Sequence, residues 1–335
     1  MAVKVAINGF GRIGRLVFRI MSNDPEFDVV AINDLTDPAQ LAYLLKYDTS
    51  HRRYKESAIS SNEDSIIVDG KSIKIYKEQD PSNLPWKELG IDVVFECTGF
   101  FTSYEKSMAH INAGAKKVII SAPAKGDLKT IVYNVNHKTL TGEEKIISAA
   151  SCTTNCLAPV MKLLCDNYGV DKGYMTTVHA YTNDQSTLDV AHKKGHLSRR
   201  GRAAAANIVP ATTGAASAIG LVIPELKGKL DGMAMRVPVT TGSVIDLTLE
   251  LSKKVTKEEI NELFMNNQSE TIKYTTDPIV SSDIIGMECG ALVDGLLTNV
   301  IDVDGKQLVK IVAWYDNEMS YSAQMVRTAK YFTEL

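Results

Sequence analysis

The stretch that decides the fold lies near the N-terminus, where residues 3–14 read VKVAINGFGRIG. The apolar run at 3–7 predicts a strand, and G-x-G-x-x-G follows it at the start of a predicted helix over 12–21. In this motif the first glycine permits a tight turn, the second lets a pyrophosphate approach the backbone, and the third lets the helix pack on the strand. The stretch therefore predicts a strand, turn and helix that bind a dinucleotide.

An acidic residue supports the dinucleotide interpretation. Asp34 follows the next predicted strand, 29–33, about 20 residues after Gly14, where a carboxylate can accept hydrogen bonds from a ribose. Alone, the glycine motif is also compatible with a plain turn, and Asp34 with a turn or cap residue. The strand, the glycines and the acid together favour a dinucleotide site.

Strands and helices alternate through the first 150 or so residues, with further strands at 91–97 and 117–121 around a helix at 104–113. This alternation predicts an α/β fold with a Rossmann-type doubly wound parallel sheet. Carboxyl ends of parallel strands line the ligand crevice, so Thr98 and Gly99, which follow the strand at 91–97, are expected in its wall.

The second half predicts an α+β catalytic domain with a mixed or antiparallel sheet, followed by a terminal helix over 322–332 with Met325, Ala329 and Phe332 on one face. We expect a cofactor domain over 1–151, a catalytic domain over 152–316 and a C-terminal segment, 317–335, that packs back on the first domain. The predicted strands are 174–181, 233–239, 243–251 and 308–315, and the predicted helices are 153–168, 214–223 and 257–266.

Composition limits the partners. The chain has 335 residues, which suits two domains, and its formal net charge of −3 with scattered lysines and arginines argues against nucleic-acid binding. No apolar run approaches the length of a membrane span, and the N-terminus reaches glycines too early for a signal peptide. The 5 cysteines are an odd number, which argues against a disulfide framework and predicts a cytoplasmic protein.

Cys152 is the candidate nucleophile. It follows an apolar strand over 145–150 and precedes a helical stretch, so it lies at or near a helix N-terminus, where the dipole is expected to lower the pKa of a thiol. Pro159 predicts that this helix starts later or bends. The alternatives are a structural thiol and a metal ligand, but no second Cys/His pair with zinc spacing accompanies Cys152 and Cys156, so no metal is expected.

A nucleophilic cysteine needs a base. His179 is the best candidate among the 6 histidines, because it ends a predicted strand and precedes the polar run Ala180-Tyr181-Thr182-Asn183-Asp184. The residues alone leave open that His179 is a structural histidine.

Five motifs carry the most specific information in the chain. They are NGFGRIGR at 8–15, SCTTNC at 151–156, HAYTNDQ at 179–185, GMAMRVP at 232–238 and WYDNE at 314–318. In their order and approximate spacing they resemble the phosphorylating glyceraldehyde-3-phosphate dehydrogenase family, and the resemblance covers the whole chain. The Cys-centred motif is highly specific, whereas the glycine motif is shared by many dehydrogenases.

The resemblance implies oxidation of glyceraldehyde 3-phosphate with NAD through a Cys152 thioester, with His179 as base, and phosphorolysis of the thioester to 1,3-bisphosphoglycerate. It also implies a homotetramer. It assigns the substrate phosphate to Thr182 and Arg236, and inorganic phosphate to Ser151, Thr153, Thr213 and Gly214. Arg200 is our choice over Arg199 and Arg202 for a further phosphate contact. The cofactor residues are Gly9, Phe10, Gly11, Arg12, Ile13, Gly14, Asp34, Thr98, Gly99, Ser121 and Asn317.

Two other kinds of function are compatible with these motifs. Erythrose-4-phosphate and semialdehyde dehydrogenases use the same thiol chemistry, although the full set of phosphate residues disfavours a semialdehyde. A protein that chiefly binds dinucleotides or adheres to surfaces would not need both Cys152 and His179. The loop over 186–202 departs from the family pattern by about two extra residues, which blurs the alignment of Arg200.

Overall fold

The structure is a computed structural model that describes residues 2–193 and 195–335, which form two compact units. The first unit combines Met1–Ser151 with Met325–Leu335, and the second is Cys152–Gln324. The division before Cys152 coincides with the predicted boundary, whereas the second division falls at Met325 rather than at 317. Lys194, in the loop over 186–202, lies outside the described residues.

Besides its C-terminal segment Met325–Leu335, the first unit contains four α-helices in its described part: α1 (Arg12–Met21), α2 (Pro38–Lys46), α3 (Trp86–Leu89) and α4 (Tyr104–Asn112). Its strands are β1 (Val3–Asn8), β2 (Phe27–Asn33), β3 (Ile59–Ser61), β4 (Ser65–Val68), β5 (Lys71–Tyr76), β6 (Val93–Glu96), β7 (Lys117–Ile120), β8 (Lys129–Thr130) and β9 (Ile146–Ser148).

These strands form one sheet in the order β3-β4-β5-β2-β1-β6-β7-β9-β8. From β5 to β8 all neighbours are parallel, and the predicted Rossmann-type sheet is confirmed. Its central strands are apolar and buried on both faces, as parallel strands covered by helices must be. β1 lies between β2 and β6, so the chain order reverses there and a crevice opens at the carboxyl ends. The antiparallel pairs of β3, β4 and β5 were not predicted.

The second unit contains α5 (Cys152–Tyr168), α6 (Ala215–Val222), α7 (Lys257–Asn266) and the start of α8 (Met319–Glu334). Its strands are β10 (Val170–Ala180), β11 (Val209–Thr212), β12 (Leu230–Val237), β13 (Ser243–Leu251), β14 (Ile272–Thr275), β15 (Ala291–Asp294), β16 (Asn299–Val303) and β17 (Lys306–Tyr315).

The second sheet has the order β11-β12-β10-β13-β17-β15-β14, with β16 paired to β17. The β10/β12 and β14/β15 pairs are parallel and the other pairs are antiparallel, which confirms the predicted mixed sheet. The parallel register of β10 and β12 places His179 opposite Arg236. Two residues far apart in sequence thereby become neighbours.

Helix α5 begins at Cys152 and continues through Pro159, so the predicted later start is wrong. Proline cannot donate a backbone hydrogen bond to the carbonyl of Asn155, one turn earlier. A Cβ on Gly290 would lie 2.8 Å from that carbonyl oxygen, so another backbone segment packs closely against it. Residues along α5 from Thr153 to Leu164 are largely buried, and this packing outweighs the lost bond.

The C-terminal helix α8 carries the predicted apolar face, since Met325, Ala329 and Phe332 are all buried. In the first unit its last turn is tied to β7, where Lys117 Nζ donates to the carbonyl oxygen of Phe332 and lies over its ring. None of the helices in the described residues combines the length and the apolar character that spanning a bilayer requires.

Candidate active site

The glycine loop between β1 and α1 is shaped for close approach by a ligand. Gly9 has a φ of +91°, and a Cβ on it would lie 2.8 Å from the backbone nitrogen of Thr98. A Cβ on Gly14 would lie 2.1 Å from the carbonyl oxygen of Gly9, so α1 packs on the loop only with glycine there. A Cβ on Gly11 would meet no described atom within 4 Å. Gly11 is the N-cap of α1, and the free N–H groups there favour an anion.

A cavity of about 560 Å³ opens beside this loop, and Asp34 lies in its wall. Asp34 Oδ2 accepts a hydrogen bond from the Phe10 nitrogen at 2.8 Å, and Oδ1 accepts one from the Thr36 nitrogen at 3.0 Å. These contacts fix the carboxylate beside the glycine loop, where ribose hydroxyls can donate to it. The volume suits a small-molecule site. The lining includes the predicted residues Gly9, Gly11, Asp34 and Thr98, and also Asn8, Asn33, Glu78 and Gln79.

The other predicted cofactor residues of the first unit have varied positions. The side chain of Phe10 is buried and packs edge-on against Phe18, with ring centroids 5.7 Å apart. Phe10 therefore contributes only its backbone to the surface of the glycine loop. Arg12 NH1 forms a 2.5 Å ion pair with Asp48, which occupies the guanidinium. Gly99 is exposed and has a φ of +75°. Ile13 lies half-buried in the first turn of α1. The backbone nitrogen of Ser121 donates to the carbonyl oxygen of Glu96 at 3.0 Å.

In the second unit, Cys152 is the first residue of α5 and its Sγ lies 3.4 Å from His179 Nε2. His179 Nδ1 lies 2.7 Å from the carbonyl oxygen of Ala180, which can only accept, and 2.9 Å from Arg236 NH1, which can only donate. In the tautomer that forms the hydrogen bond to Ala180, Nδ1 carries the proton. Nε2 is then the acceptor that faces the thiol. The predicted nucleophile and base are therefore in hydrogen-bonding contact, the arrangement that an activated thiol requires.

Arg236 lies beside His179 because the two strands pair in register. Its NH1 atom lies 2.9 Å from His179 Nδ1 and donates to the carbonyl oxygen of Ala180 at 3.0 Å and to Thr182 Oγ1 at 3.1 Å. The two predicted ligands of the substrate phosphate, Thr182 and Arg236, are thus in direct contact next to the base.

Tyr315 orders the site, and it was not among the residues predicted from sequence although it lies in the fifth motif. Its buried ring packs edge-on against His179, with centroids 5.8 Å apart. Its hydroxyl lies 2.9 Å from Thr153 Oγ1 and 2.8 Å from Thr177 Oγ1. A tyrosine directly after the apolar residues 311–314 was the available signal, because a buried hydroxyl needs partners.

Burial sets the protonation of the pair. It lowers the pKa of His179 to about 3, with a further contribution from the Arg236 cation, so the imidazole is neutral. Burial also raises the pKa of Cys152, against the opposing effects of Arg236 and the contacts with Thr153. The predicted lowering of this pKa by the helix N-terminus is therefore wrong, because desolvation has the larger effect. The proton rests on sulfur, and His179 is poised to accept it.

The loop after β10 places Arg200 nearest the site among the three candidate arginines. Arg200 NH1 is paired with Asp184, whose carboxylate also accepts from Thr182 Oγ1, and Arg200 NH2 lies 3.5 Å from the carbonyl oxygen of Thr212. Arg199 is exposed, and Arg202 is exposed and pairs with Asp189 at 3.0 Å.

The remaining predicted residues lie at element ends. Gly214 is the N-cap of α6, and Thr213 Oγ1 accepts from the Ala215 nitrogen at 3.2 Å. Ser151 immediately precedes α5 and follows Ala150, which has a left-handed φ of 58°. The buried Asn317 side chain is anchored through Oδ1, which accepts from Ser243 Oγ at 2.9 Å and from the Gly242 nitrogen at 3.2 Å.

Two family models match the chain: the NAD binding domain of glyceraldehyde 3-phosphate dehydrogenase over residues 3–104 and its C-terminal domain over residues 151–317. Curated relatives named glyceraldehyde-3-phosphate dehydrogenase are similar over their full length. Those of Clostridium pasteurianum and Clostridium acetobutylicum are 60% and 59% identical over 332 residues, which is 99% of each chain. That of Streptococcus pyogenes is 56% identical over 336 residues, covering 100% of this chain and 99% of its own.

Proposed function

The chain belongs to the glyceraldehyde-3-phosphate dehydrogenase family, and from that premise we propose which of its residues carry the oxidation and phosphorylation of glyceraldehyde 3-phosphate with NAD. The contact of 3.4 Å between Cys152 Sγ and His179 Nε2, beside the Arg236 cation, carries the proposal. It supplies a nucleophile, a neutral base and a binding charge in one place.

The cavity of the first unit fits the adenosine half of NAD. Gly11 leaves the N-terminus of α1 open to the pyrophosphate, and the fixed Asp34 carboxylate accepts from ribose hydroxyls. The same charge disfavours the 2′-phosphate of NADP. The resemblance assigns the nicotinamide carboxamide to Asn317, whose Oδ1 accepts hydrogen bonds within the second unit, so its amide nitrogen would be the donor to the carboxamide. NAD, when bound, accepts the hydride that the substrate carbon loses.

Catalysis begins with the thiol of Cys152. As sulfur bonds to the aldehyde carbon, His179 Nε2 takes the thiol proton and returns it to the carbonyl oxygen, which gives a hemithioacetal and a neutral imidazole. The pKa of His179, lowered to about 3 by burial and by Arg236, keeps the imidazole ready for this transfer. His179 then takes the hydroxyl proton as the carbon is oxidised, and a Cys152 thioester remains.

Inorganic phosphate completes the reaction. Its oxygen attacks the thioester carbon, the carbon–sulfur bond breaks, and Cys152 leaves as a thiolate that recovers the proton from His179. Arg236 and Thr182 bind the phosphate of the substrate. The attacking phosphate is bound by Ser151, Thr153, Thr213 and Gly214. Arg200 makes a further contact to this phosphate once its ion pair with Asp184 opens.

The test is NADH formation by the purified protein from glyceraldehyde 3-phosphate and NAD, with and without inorganic phosphate. We expect one NADH per site without phosphate, because the thioester accumulates, and continuous turnover with it. Erythrose 4-phosphate and an unphosphorylated semialdehyde are the competing substrates, and a higher kcat/KM for either would contradict the proposal. NAD binding without NADH formation from any aldehyde would favour a binding protein.

We further propose a cytoplasmic homotetramer. All 5 cysteines are free, which suits a reducing compartment. Among the exposed large apolar side chains are two groups close together in sequence, which a homomeric interface would bury. They are Leu188, Val190 and Leu197 on the loop after β10, and Ile301 and Val303 on β16. Sedimentation velocity tests this state, and a monomer at micromolar concentration would contradict it.

A further inference from the structure

A chain of hydrogen bonds runs beneath the cavity of the first unit and ends on one buried carboxylate, that of Glu96. Trp86 Nε1 donates to His110 Nδ1 at 3.0 Å, and His110 Nε2 lies 3.1 Å from Glu96 Oε2. All three side chains are at most 1% exposed. An indole N–H can only donate, so Nδ1 of His110 accepts and Nε2 carries the proton. His110 is thus neutral and donates to Glu96.

A second branch reaches the same carboxylate from the rim of the cavity. The Glu78 backbone nitrogen donates to Asn33 Oδ1 at 2.9 Å, which fixes the orientation of the Asn33 amide. Asn33 Nδ2 donates to Asn8 Oδ1 at 2.7 Å, and Asn8 Nδ2 donates to Glu96 Oε2 at 2.5 Å. The backbone N–H at one end allows only this direction of donation along the whole branch.

The other oxygen of Glu96 holds the turn after β6. Glu96 Oε1 accepts from the Thr98 nitrogen at 2.8 Å and from Thr98 Oγ1. Thr98 Oγ1 in turn accepts from the Phe100 nitrogen at 3.1 Å. Donors reach both oxygens, so the hydrogen bonds compensate the buried carboxylate as an anion.

We propose that Glu96 is the positioning residue of the dinucleotide site. Asn8, Asn33, Glu78 and Thr98 all line the cavity, and each is tied, directly or through its neighbours, to the Glu96 carboxylate below them. Glu96 itself is buried and binds no ligand. It holds two walls of the cavity at the spacing that the adenosine half of NAD requires. The inference rests on the proposed assignment of this cavity to NAD.

The direct test is Glu96→Gln, with the dissociation constant of NAD measured by isothermal titration calorimetry. Thr98 N–H can only donate, so the amide oxygen must face it, and the amide nitrogen then faces the donors of Asn8 and His110. We expect the Kd for NAD to rise on the order of tenfold from the unsatisfied contacts. The KM for glyceraldehyde 3-phosphate and kcat at saturating NAD should stay within about twofold, because the thiol site lies in the second unit.

A second substitution should partly restore NAD binding to Glu96→Gln, because it lets His110 change its tautomer. A role of Glu96 in folding alone would not give this rescue. Trp86→Phe removes the indole N–H, which frees His110 to carry its proton on Nδ1 and to accept, through Nε2, from the amide introduced at position 96. The effect of Glu96→Gln on log Kd should therefore be less than half as large in the Trp86→Phe background. Glu63→Gln, which removes the same charge at an exposed position of the first unit, is the control and should leave the Kd unchanged.

The outcomes separate this inference from the assignment of the cavity. If the wild-type protein does not bind NAD, the cavity assignment fails first. If it binds NAD and a folded Glu96→Gln protein binds equally tightly, or if Trp86→Phe gives no relief, Glu96 is not the positioning residue. Should Glu96→Gln fail to fold, Thr98→Val removes one donor to Glu96 and the acceptor of the Phe100 nitrogen but keeps the backbone donor, and we expect a Kd for NAD raised about threefold. An unchanged Kd in Thr98→Val would overturn the inference.

Discussion

The dinucleotide cavity and the thiol site treat buried charge in opposite ways. In the cavity the buried anion, Glu96, receives donors on both carboxylate oxygens. In the thiol site the half-buried cation, Arg236, faces a neutral imidazole, and its buried Nε atom has no hydrogen-bond partner among the described residues. The buried charge beneath the cavity is therefore compensated by groups of the protein itself.

The charges of the thiol site, by comparison, are balanced only when an anion binds there. Burial and Arg236 together lower the pKa of His179 to about 3, and burial raises the pKa of Cys152. A phosphate bound to Arg236 would offset the positive charge next to the base. We infer that this imbalance lowers the stability of the free protein and that substrate binding restores the loss.

The thiol site depends most on its sulfur atom. Cys152→Ser should reduce turnover below detection while the Kd for NAD stays within about twofold, because an alcohol is scarcely ionised near neutral pH and is a poor leaving group. Iodoacetamide should label Cys152 before the other thiols in the wild-type protein. Cys165→Ser is the matched control and should keep the wild-type rate, since burial raises the pKa of Cys165 to about 11. A Cys152→Ser protein with measurable turnover would contradict the assignment.

Removing the base is the next largest change. His179→Asn should lower kcat by about 10²–10⁴-fold, the usual contribution of a positioned base, with little effect on NAD binding. The thiol should also react more slowly with iodoacetamide near neutral pH, because its proton acceptor is lost. Stopped-flow measurement of the first NADH formed isolates this step from phosphorolysis. A wild-type rate in this variant would make His179 a structural residue.

Arg236→Leu removes the uncompensated cation of the thiol site and tests what that charge binds. A charge-assisted hydrogen bond is worth about 1.5–3 kcal/mol, so the KM for glyceraldehyde 3-phosphate should rise about 10- to 150-fold, and the KM for NAD far less. Arg202→Leu removes an exposed arginine that pairs with Asp189, and it should change neither constant by more than about twofold. Equal weakening of both ligands in Arg236→Leu would indicate a folding defect instead.

Sequence patterns predicted the elements that have strong periodicity or a diagnostic turn. The glycine loop, the parallel sheet and the apolar face of α8 are local patterns, and all three are confirmed. The antiparallel strands β3 to β5 are short and lack such a signal. The later start of α5 inferred from Pro159 is wrong because propensity was weighed without the packing of this helix.

The thiol site shows a different limit of sequence reasoning. Cys152 and His179 could be chosen because each ends or begins an element within a polar run. The contact of Arg236 with His179 depends on the register of β10 and β12, which local sequence does not specify. Likewise the pKa values depend on burial, which only the packed structure determines.

The pH dependence of the free energy of unfolding should change least, and it tests directly whether the charge of Arg236 beside His179 is uncompensated. The pKa of His179 is about 3 in the folded protein, against 6.5 for the unperturbed side chain, so below pH 6.5 the unfolded state binds more protons than the folded state. Stability that is present above pH 6.5 is therefore lost as the pH falls. From pH 7.5 to 5.5 this group alone should lower the free energy of unfolding by about 1.4 kcal/mol.

Subtracting the same measurement on His179→Asn isolates this contribution, because every other titrating group is common to both proteins. Sulfate should raise the pKa of His179 in the folded state, since an anion on Arg236 offsets the charge that disfavours the imidazolium, and the difference between the two proteins shrinks once that pKa comes within about one unit of pH 5.5. Denaturant unfolding of both proteins at both pH values, with and without sulfate, gives the comparison needed. If the wild-type protein and His179→Asn lose equal stability over this range, His179 is not held neutral by burial and Arg236. The thiol site would then be as fully compensated as the cofactor cavity, and the contrast between them would not hold.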